Sequence, residues 1–157
     1  MKNNNPESYL VRLLVKRDYT SFEIRKKLQG RFQLEEEEIE KLLGKFKDFG
    51  YVDDDRYKYR FIMSKLLSRE GPYCIIQKLK LKGISVDINE IYKVAEKNDI
   101  NIAENAKFLA KKKLRQYLER SQQVEIKKLF EFLVRKGYDY LLVEKTVSEV
   151  LNESNFS

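Results

Sequence analysis

The chain has 157 residues, with 32 Lys or Arg against 25 Asp or Glu and a net charge of +7. It contains no His and a single Cys, which excludes an intrachain disulfide, a Ser/His or Cys/His nucleophile pair, and the commonest metal ligand and general base. Hydrophobic residues at 42% support a core, while 36% charged residues with only 6 Gly and 2 Pro point to helices with wet faces, an all-α class.

Residues 1–8, which include the polar run Met1 to Asn5, are expected to form a disordered N-terminus. This start lacks the apolar core of a secretory signal, and no apolar run reaches the ~20 residues of a membrane span, so a cytoplasmic protein without membrane contact is expected. A first helix carries Leu10, Leu13 and Leu14 on one face. Thr20-Ser21-Phe22-Glu23 reads as a capping box that opens a second helix, with Ile24 and Leu28 inward and a stop near Gly30. The acidic run Glu35 to Glu38 opens a third helix, where carboxylates meet the positive end of the helix dipole. Its inward stripe is Ile39, Leu42, Leu43, Phe46 and Phe49. An acidic patch facing a basic partner is the functional alternative for that run.

Gly50 offers a left-handed helix end, and Asp53 or Asp54 caps a fourth helix, which pairs Tyr57 with Phe61 and Ile62 with Leu66 and runs to about Arg69. Gly71 followed by Pro72 then supplies a stop and a start. The fifth helix carries Ile75, Ile76 and Leu79 and ends at Gly83; a sixth carries Ile88, Ile91, Tyr92 and Ala95. After the polar stretch 96–101, a seventh turns Ala106, Ala110, Leu114 and Tyr117 inward. An eighth shows Ile126, Leu129, Phe130 and Leu133 before Gly137, and a ninth Leu142, Val143, Val147, Val150 and Leu151. Residues 152–157 read as a C-terminal tail.

Lys27-Leu28 leading to Gly30-Arg31-Phe32, Lys78-Leu79 leading to Lys82-Gly83-Ile84, and Phe132-Leu133 leading to Lys136-Gly137-Tyr138 recur at a period of roughly fifty residues, as in stacked modules. Each has a helix end, a cation and a hydrophobe that closes the turn; in the first the glycine comes early and Phe32 replaces it in register. The expectation is three tandem three-helix repeats, 9–52, 53–100 and 101–151, forming an elongated, curved array. Three small helices bury little surface alone, so each unit needs its neighbours.

Within this plan, Gly50-Tyr51-Val52-Asp53-Asp54, then Arg56-Tyr57, then Gly71-Pro72, then Leu79 and Lys82-Gly83-Ile84 resemble the signature of the RecX family, regulators of the recombinase RecA. Letters and spacing both match. Lys58 and Cys74 stand where the family motif has a small residue and an Arg. The resemblance implies the tandem helical plan and a non-enzymatic regulator that binds RecA filaments on single-stranded DNA. It further implies inhibition of recombinase and ATPase activity, and so modulation of DNA repair, recombination and the SOS response.

No constellation reads as catalytic, and no cofactor is expected. Asp53, Asp54 and Asp55 are a formal divalent-metal candidate, but helix-start roles account for them and no glycine-rich phosphate loop accompanies them. Cys74 reads as a small hydrophobe, with a reactive thiol as the alternative. Lys107, Lys111 and Arg115, with Lys112 and Lys113 alongside, stripe the seventh helix; Lys78 and Lys82 lie one turn apart, and Lys136 is the equivalent helix-end cation. Such stripes suit phosphates or an acidic protein groove, the alternative being solvated faces and dipole-facing helix ends. Tyr59, Tyr73 and Tyr140 fall off the apolar stripes and are expected to be exposed, where single-stranded bases stack on aromatics.

The expected partners are therefore the RecA filament and single-stranded DNA, with weak duplex binding, and the chain is expected to be monomeric. A sequence-specific helical DNA-binding protein is the runner-up, since three-helix units place recognition helices in the major groove. Against it, residues 1–52 carry 11 basic and 9 acidic side chains, 53–100 carry 10 and 8, and 101–157 carry 11 and 8. A dedicated reader concentrates its cations in one module. A structural adaptor for some other protein is a third reading, marked by binding that survives Lys107, Lys111 and Arg115 all changed to Glu.

Overall fold

A computed structural model describes residues 4–120 and 126–155. Among these there are nine α-helices and no strand: α1 (Pro6–Lys16), α2 (Ser21–Arg31), α3 (Glu36–Asp48), α4 (Asp54–Leu67), α5 (Pro72–Leu81), α6 (Ile88–Lys97), α7 (Ile102–Glu119), α8 (Ile126–Arg135) and α9 (Tyr140–Asn155). The first and last helices reach further into the expected tails than the sequence suggests. Asn5 caps α1 through Oδ1, which accepts from the Glu7 and Ser8 N–H groups, so residues 6–8 are helical rather than tail. At the other end α9 continues through Asn155. Residues 1–3, 156 and 157 of the two expected tails lie outside the described residues.

Local chemistry explains most boundaries. The Thr20 hydroxyl accepts from the Glu23 N–H at 3.1 Å while the Glu23 carboxylate accepts from the Thr20 N–H at 3.0 Å, the reciprocal pair of a capping box. Glu35 and Glu38 do the same for α3, so the acidic run is a helix start. Helix ends repeat one closure, in which the third residue past the helix donates to the carbonyl five residues back: Tyr51 N–H to Phe46 O, Glu70 to Lys65, Ile84 to Leu79, Ile100 to Ala95 and Tyr138 to Leu133. The closure needs a positive φ at the preceding residue, met by Gly50, Gly83 and Gly137 at +76°, +76° and +96°. Arg69 and Asp99 adopt it at +64° and +55°, a conformation that costs non-glycine residues about 1 kcal/mol.

The chain divides into two compact units, residues 1–60 with 79–85, and residues 61–78 with 86–157. The first buries Leu10, Ile24, Leu28, Ile39, Leu43, Phe46 and Val52 together, with α2 packed on α3. Phe49, expected inward, is 66% exposed, because Gly50 reverses the chain and Val52 enters the core instead. The second buries Ile62, Leu66, Ile75, Ile91, Ala106, Ala110, Leu129, Leu133, Val143 and Val147, with α7, α8 and α9 packed on one another. Tyr92 and Ile126 were expected inward and are exposed; Thr146, unremarked in the sequence, is buried, its hydroxyl donating to Leu142 O at 2.7 Å.

In each unit the start of one helix docks on a lysine-glycine turn far away in sequence. In the first, the buried Thr20 hydroxyl donates to Lys82 O at 2.7 Å, and Gly83 lies so close to Phe22 that an added Cβ would sit 2.3 Å from the Phe22 Cβ. In the second, the Gly71 N–H donates to Lys136 O at 2.7 Å and the Tyr73 N–H to Gly137 O at 2.9 Å. A Cβ on Gly71 would sit 2.3 Å from the Gly137 carbonyl carbon. Gly71 and Gly137 thus allow main chain to touch main chain in the second unit, which also satisfies N–H groups that the start of α5 leaves without an intrahelical partner.

Gly71→Ala therefore forces backbone apart and is expected to cost about 2 to 3 kcal/mol in chemical denaturation. Gly44→Ala, in mid α3 with nothing within 4 Å of its added Cβ, is the control and is expected to add about 0.5 to 1 kcal/mol.

Candidate partner-binding surface

The signature residues are mainly occupied with holding helices in place. Asp53 Oδ1 accepts from the Arg56 N–H at 3.0 Å, so of the two candidate caps Asp53 starts α4. Asp54 reaches across to α2, accepting from the Ser21 N–H at 2.8 Å and the Ser21 hydroxyl at 2.5 Å. The Arg56 guanidinium donates to Gly50 O at 3.0 Å and ties the α3–α4 turn to α4. Tyr57 is half-buried, Ile84 is buried at the close of the α5 turn, and Pro72 is buried at the start of α5. Tyr51 is exposed, its ring 6.3 Å from that of the exposed Phe49. Among the described residues no three acidic or Cys side chains come together as a metal-holding group.

Cys74 lies three residues after Gly71, as Glu23 lies three after Thr20. Its thiol is half-buried and donates to Arg135 O at 3.2 Å. Burial, and then the negative charge of Glu70, push the thiol's pKa up, against the opposing charges of Lys78 and Lys136. It stays protonated at neutral pH, the form a buried small hydrophobe takes. Tyr138 is likewise pushed up by burial, and its hydroxyl donates to Arg69 O at 2.6 Å.

Of the seven candidate cations, four are already ion-paired. Lys82 Nζ lies 2.8 Å from Glu23 Oε1, and Lys78 Nζ lies 2.6 Å from Glu70 Oε1. On α7, Lys107 and Lys111 converge on Glu153 of α9, at 2.6 and 3.0 Å. This pairing holds the Glu153 carboxyl below its ordinary range and raises Lys107. The cation stripe is therefore partly neutralised by a residue expected in a tail. Lys112 and Arg115 of α7 are exposed and have no ion-pair partner among the described residues. Lys136 is exposed with its Nζ 5.7 Å from the Phe132 ring centre. Tyr59, Tyr73 and Tyr140 are exposed. The acidic run Glu35 to Glu38 is exposed, and Arg25 bridges its Glu36 to Glu40 one turn on.

What this surface offers is dispersed: helix faces with isolated cations and aromatic rings, built on packed three-helix modules. That defines a class, an all-α protein of tandem three-helix units. A family model described as "RecX, third three-helix domain" matches residues 100–147, which hold α7, α8 and the first half of α9. "Regulatory protein RecX" of Haemophilus influenzae strain PittEE is 31% identical over 83% of this chain and 85% of its own. The protein of the same name from Salmonella paratyphi A strain ATCC 9150 is 32% identical over 82% of this chain and 81% of its own. Among solved structures, RecX from Lactobacillus salivarius superposes with a TM-score of 0.74 at 20% identity, covering 92% of this chain and 94% of that one. A second, described as regulatory protein RecX, gives 0.71 at 27% identity, covering 90% and 70%. The chain belongs to the RecX family of regulatory proteins.

The Glu23–Lys82 pair gives a pH signature. Burial opposes the Glu23 charge, but the Lys82 hydrogen bond, the Thr20 N–H and the charges of Lys82 and Arg17 outweigh it and hold the carboxyl below its ordinary value. A depressed folded-state pKa stabilises above the unfolded value, and that contribution is lost as pH falls through the folded one. The stability difference between the wild type and Glu23→Gln, measured by urea denaturation, is expected to be full at pH 7 and to shrink below about pH 4. A difference constant down to pH 2.5 would show that the carboxylate form of Glu23 contributes nothing.

Proposed function

We propose that this protein is a non-enzymatic regulator that binds RecA filaments on single-stranded DNA in the cytoplasm and inhibits their recombinase and ATPase activity, so modulating DNA repair and recombination. The observation that carries the reading is its similarity, over most of both chains, to relatives named regulatory protein RecX. Site chemistry supports it: exposed Lys112 and Arg115 of α7, with exposed Tyr73 of α5, suit phosphate and base contacts on more than one helix. In this reading the repeats 9–52, 53–100 and 101–151 act as modules, and modest contacts from each add up through effective concentration to a stable hold on the filament. Occupying sites that a growing filament needs then slows extension. Cations distributed among the modules favour this over a sequence-specific duplex reader, which binds with one concentrated patch.

The test is titration of the full chain into RecA assembled on single-stranded DNA, following ATP hydrolysis. Hydrolysis is expected to fall at concentrations near stoichiometric with RecA. Unchanged hydrolysis at several-fold excess of folded protein would remove the proposal. Glu153→Gln frees Lys107 and Lys111 and is expected to steepen the salt dependence of single-strand binding by about one unit in log K against log salt, read by fluorescence anisotropy. An unchanged slope would take the α7 stripe out of the DNA contact.

A further inference from the structure

The helix α8 has more apolar surface than its own module covers. Leu129 and Leu133 are fully buried against the rest of the second unit. Ile126, Phe130 and Val134, spaced four residues apart, extend the apolar arc sideways, where of the rest of the unit only Tyr140 at the start of α9 joins them in lining a groove. Ile126 is 59% exposed and Val134 40%. Together with Tyr140, whose ring meets Phe130 edge-on at 4.7 Å and which is 67% exposed, they line a groove of about 750 Å³. Next to it Leu141 is 77% exposed. Solvated apolar side chains recurring along one helix mark a surface that something else desolvates.

The rim says what kind of partner fits. Lys127 and Arg135 lie at the two ends of the groove and Glu131 between them, with Lys136 following Arg135. Lys127 and Glu131 sit only within a loose pairing distance of 3.9 Å, so the rim keeps a positive surplus. An aliphatic floor gains by removing apolar atoms from water, which a sugar-phosphate backbone does not supply. A floor of Ile, Val and Phe with cationic ends instead matches an amphipathic helix that presents apolar side chains one turn apart with carboxylates beside them.

From this geometry we infer that the α8 groove is a protein-docking site that takes an acidic amphipathic helical segment of the RecA protein, separate from the cations of α7 that suit nucleic acid. The inference rests on the function proposed above. It divides the third module into two surfaces, with α8 gripping protein and α7 facing the strand.

The experiment compares the full-length wild type with the double substitution Ile126→Ser and Val134→Ser, the charge reversal Lys127→Glu with Arg135→Glu, and the control Val15→Ser, an exposed apolar residue on α1. All four are checked for folding by urea denaturation, which substitutions of exposed side chains leave nearly unchanged. Two readouts are taken: inhibition of ATP hydrolysis by RecA on poly(dT), and anisotropy of a labelled poly(dT) oligonucleotide with the chain alone. The double substitution is expected to raise the half-inhibitory concentration about tenfold, with oligonucleotide affinity within twofold of the wild type and Val15→Ser unchanged. The charge reversal is expected to act in the same direction.

Inhibition by a folded double variant at wild-type concentrations would overturn the inference while leaving the regulatory function standing. Parallel loss of oligonucleotide affinity would assign the groove to nucleic acid and overturn it too. So would self-association of the chain in analytical ultracentrifugation that the same double substitution abolishes, which would assign the groove to a second copy. A wild type without effect on RecA would remove the function and this inference together.

Discussion

The architecture depends on helix starts docking against the main chain of two lysine-glycine turns. A helix start leaves N–H groups without intrahelical partners, and a helix end leaves carbonyls. At α5 the two deficits cancel, since its start donates N–H groups to Lys136 O and Gly137 O; at α2 it is the Thr20 hydroxyl that donates to Lys82 O. The approach is possible only because glycine stands at Gly71 and Gly137 in one unit and at Gly83 in the other. In both units the contact joins segments more than sixty residues apart, so it links modules that local chemistry alone would leave independent. Asp54 adds a second long-range tie by gripping Ser21 at the base of α2.

This is why the signature residues read two ways. As local signals they are helix punctuation, and that part was legible: capping residues, left-handed glycines and proline at a first turn marked boundaries of several helices, because each acts over four to six residues, and apolar periodicity located the rest. The docking partners were invisible. Nothing in Lys82-Gly83 or Lys136-Gly137 says which distant helix start lies against them, and the recurrence of the motif pointed only to repetition. Thr20 and Gly71 are chemically unlike, a hydroxyl in one unit and a bare backbone N–H in the other, so no sequence pattern links their equivalent roles. Phe49 and Ile126 were misplaced for a related reason. Periodicity says which residues share a face but not how far along that face the neighbouring helix extends.

The candidate surface was legible only as an inventory of cations. The sequence shows Lys107, Lys111 and Arg115 on one helical face, yet two of the three are tied to Glu153, which lies in the last turns of α9. A long-range ion pair at a chain end leaves no periodic trace. The same holds for Lys82, whose charge is answered by Glu23 while Glu23 also completes a helix cap. The Lys111 pair with Glu153 is exposed on both sides, and pairing of that kind is weak and salt-sensitive, so this cation stays available to a polyanion that offers several charges at once.

Hydrogen exchange at the amides of Gly71 and Tyr73 tests the turn-docking account most directly, because both belong to a helix start whose N–H groups otherwise face water. If each donates to the turn between α8 and α9 in solution, their exchange slows to that of a hydrogen-bonded amide further along α5, such as Leu79. Exchange at the rate of an unprotected peptide, with Leu79 still protected, would show that the turns do not dock and that the modules are joined by their side chains alone.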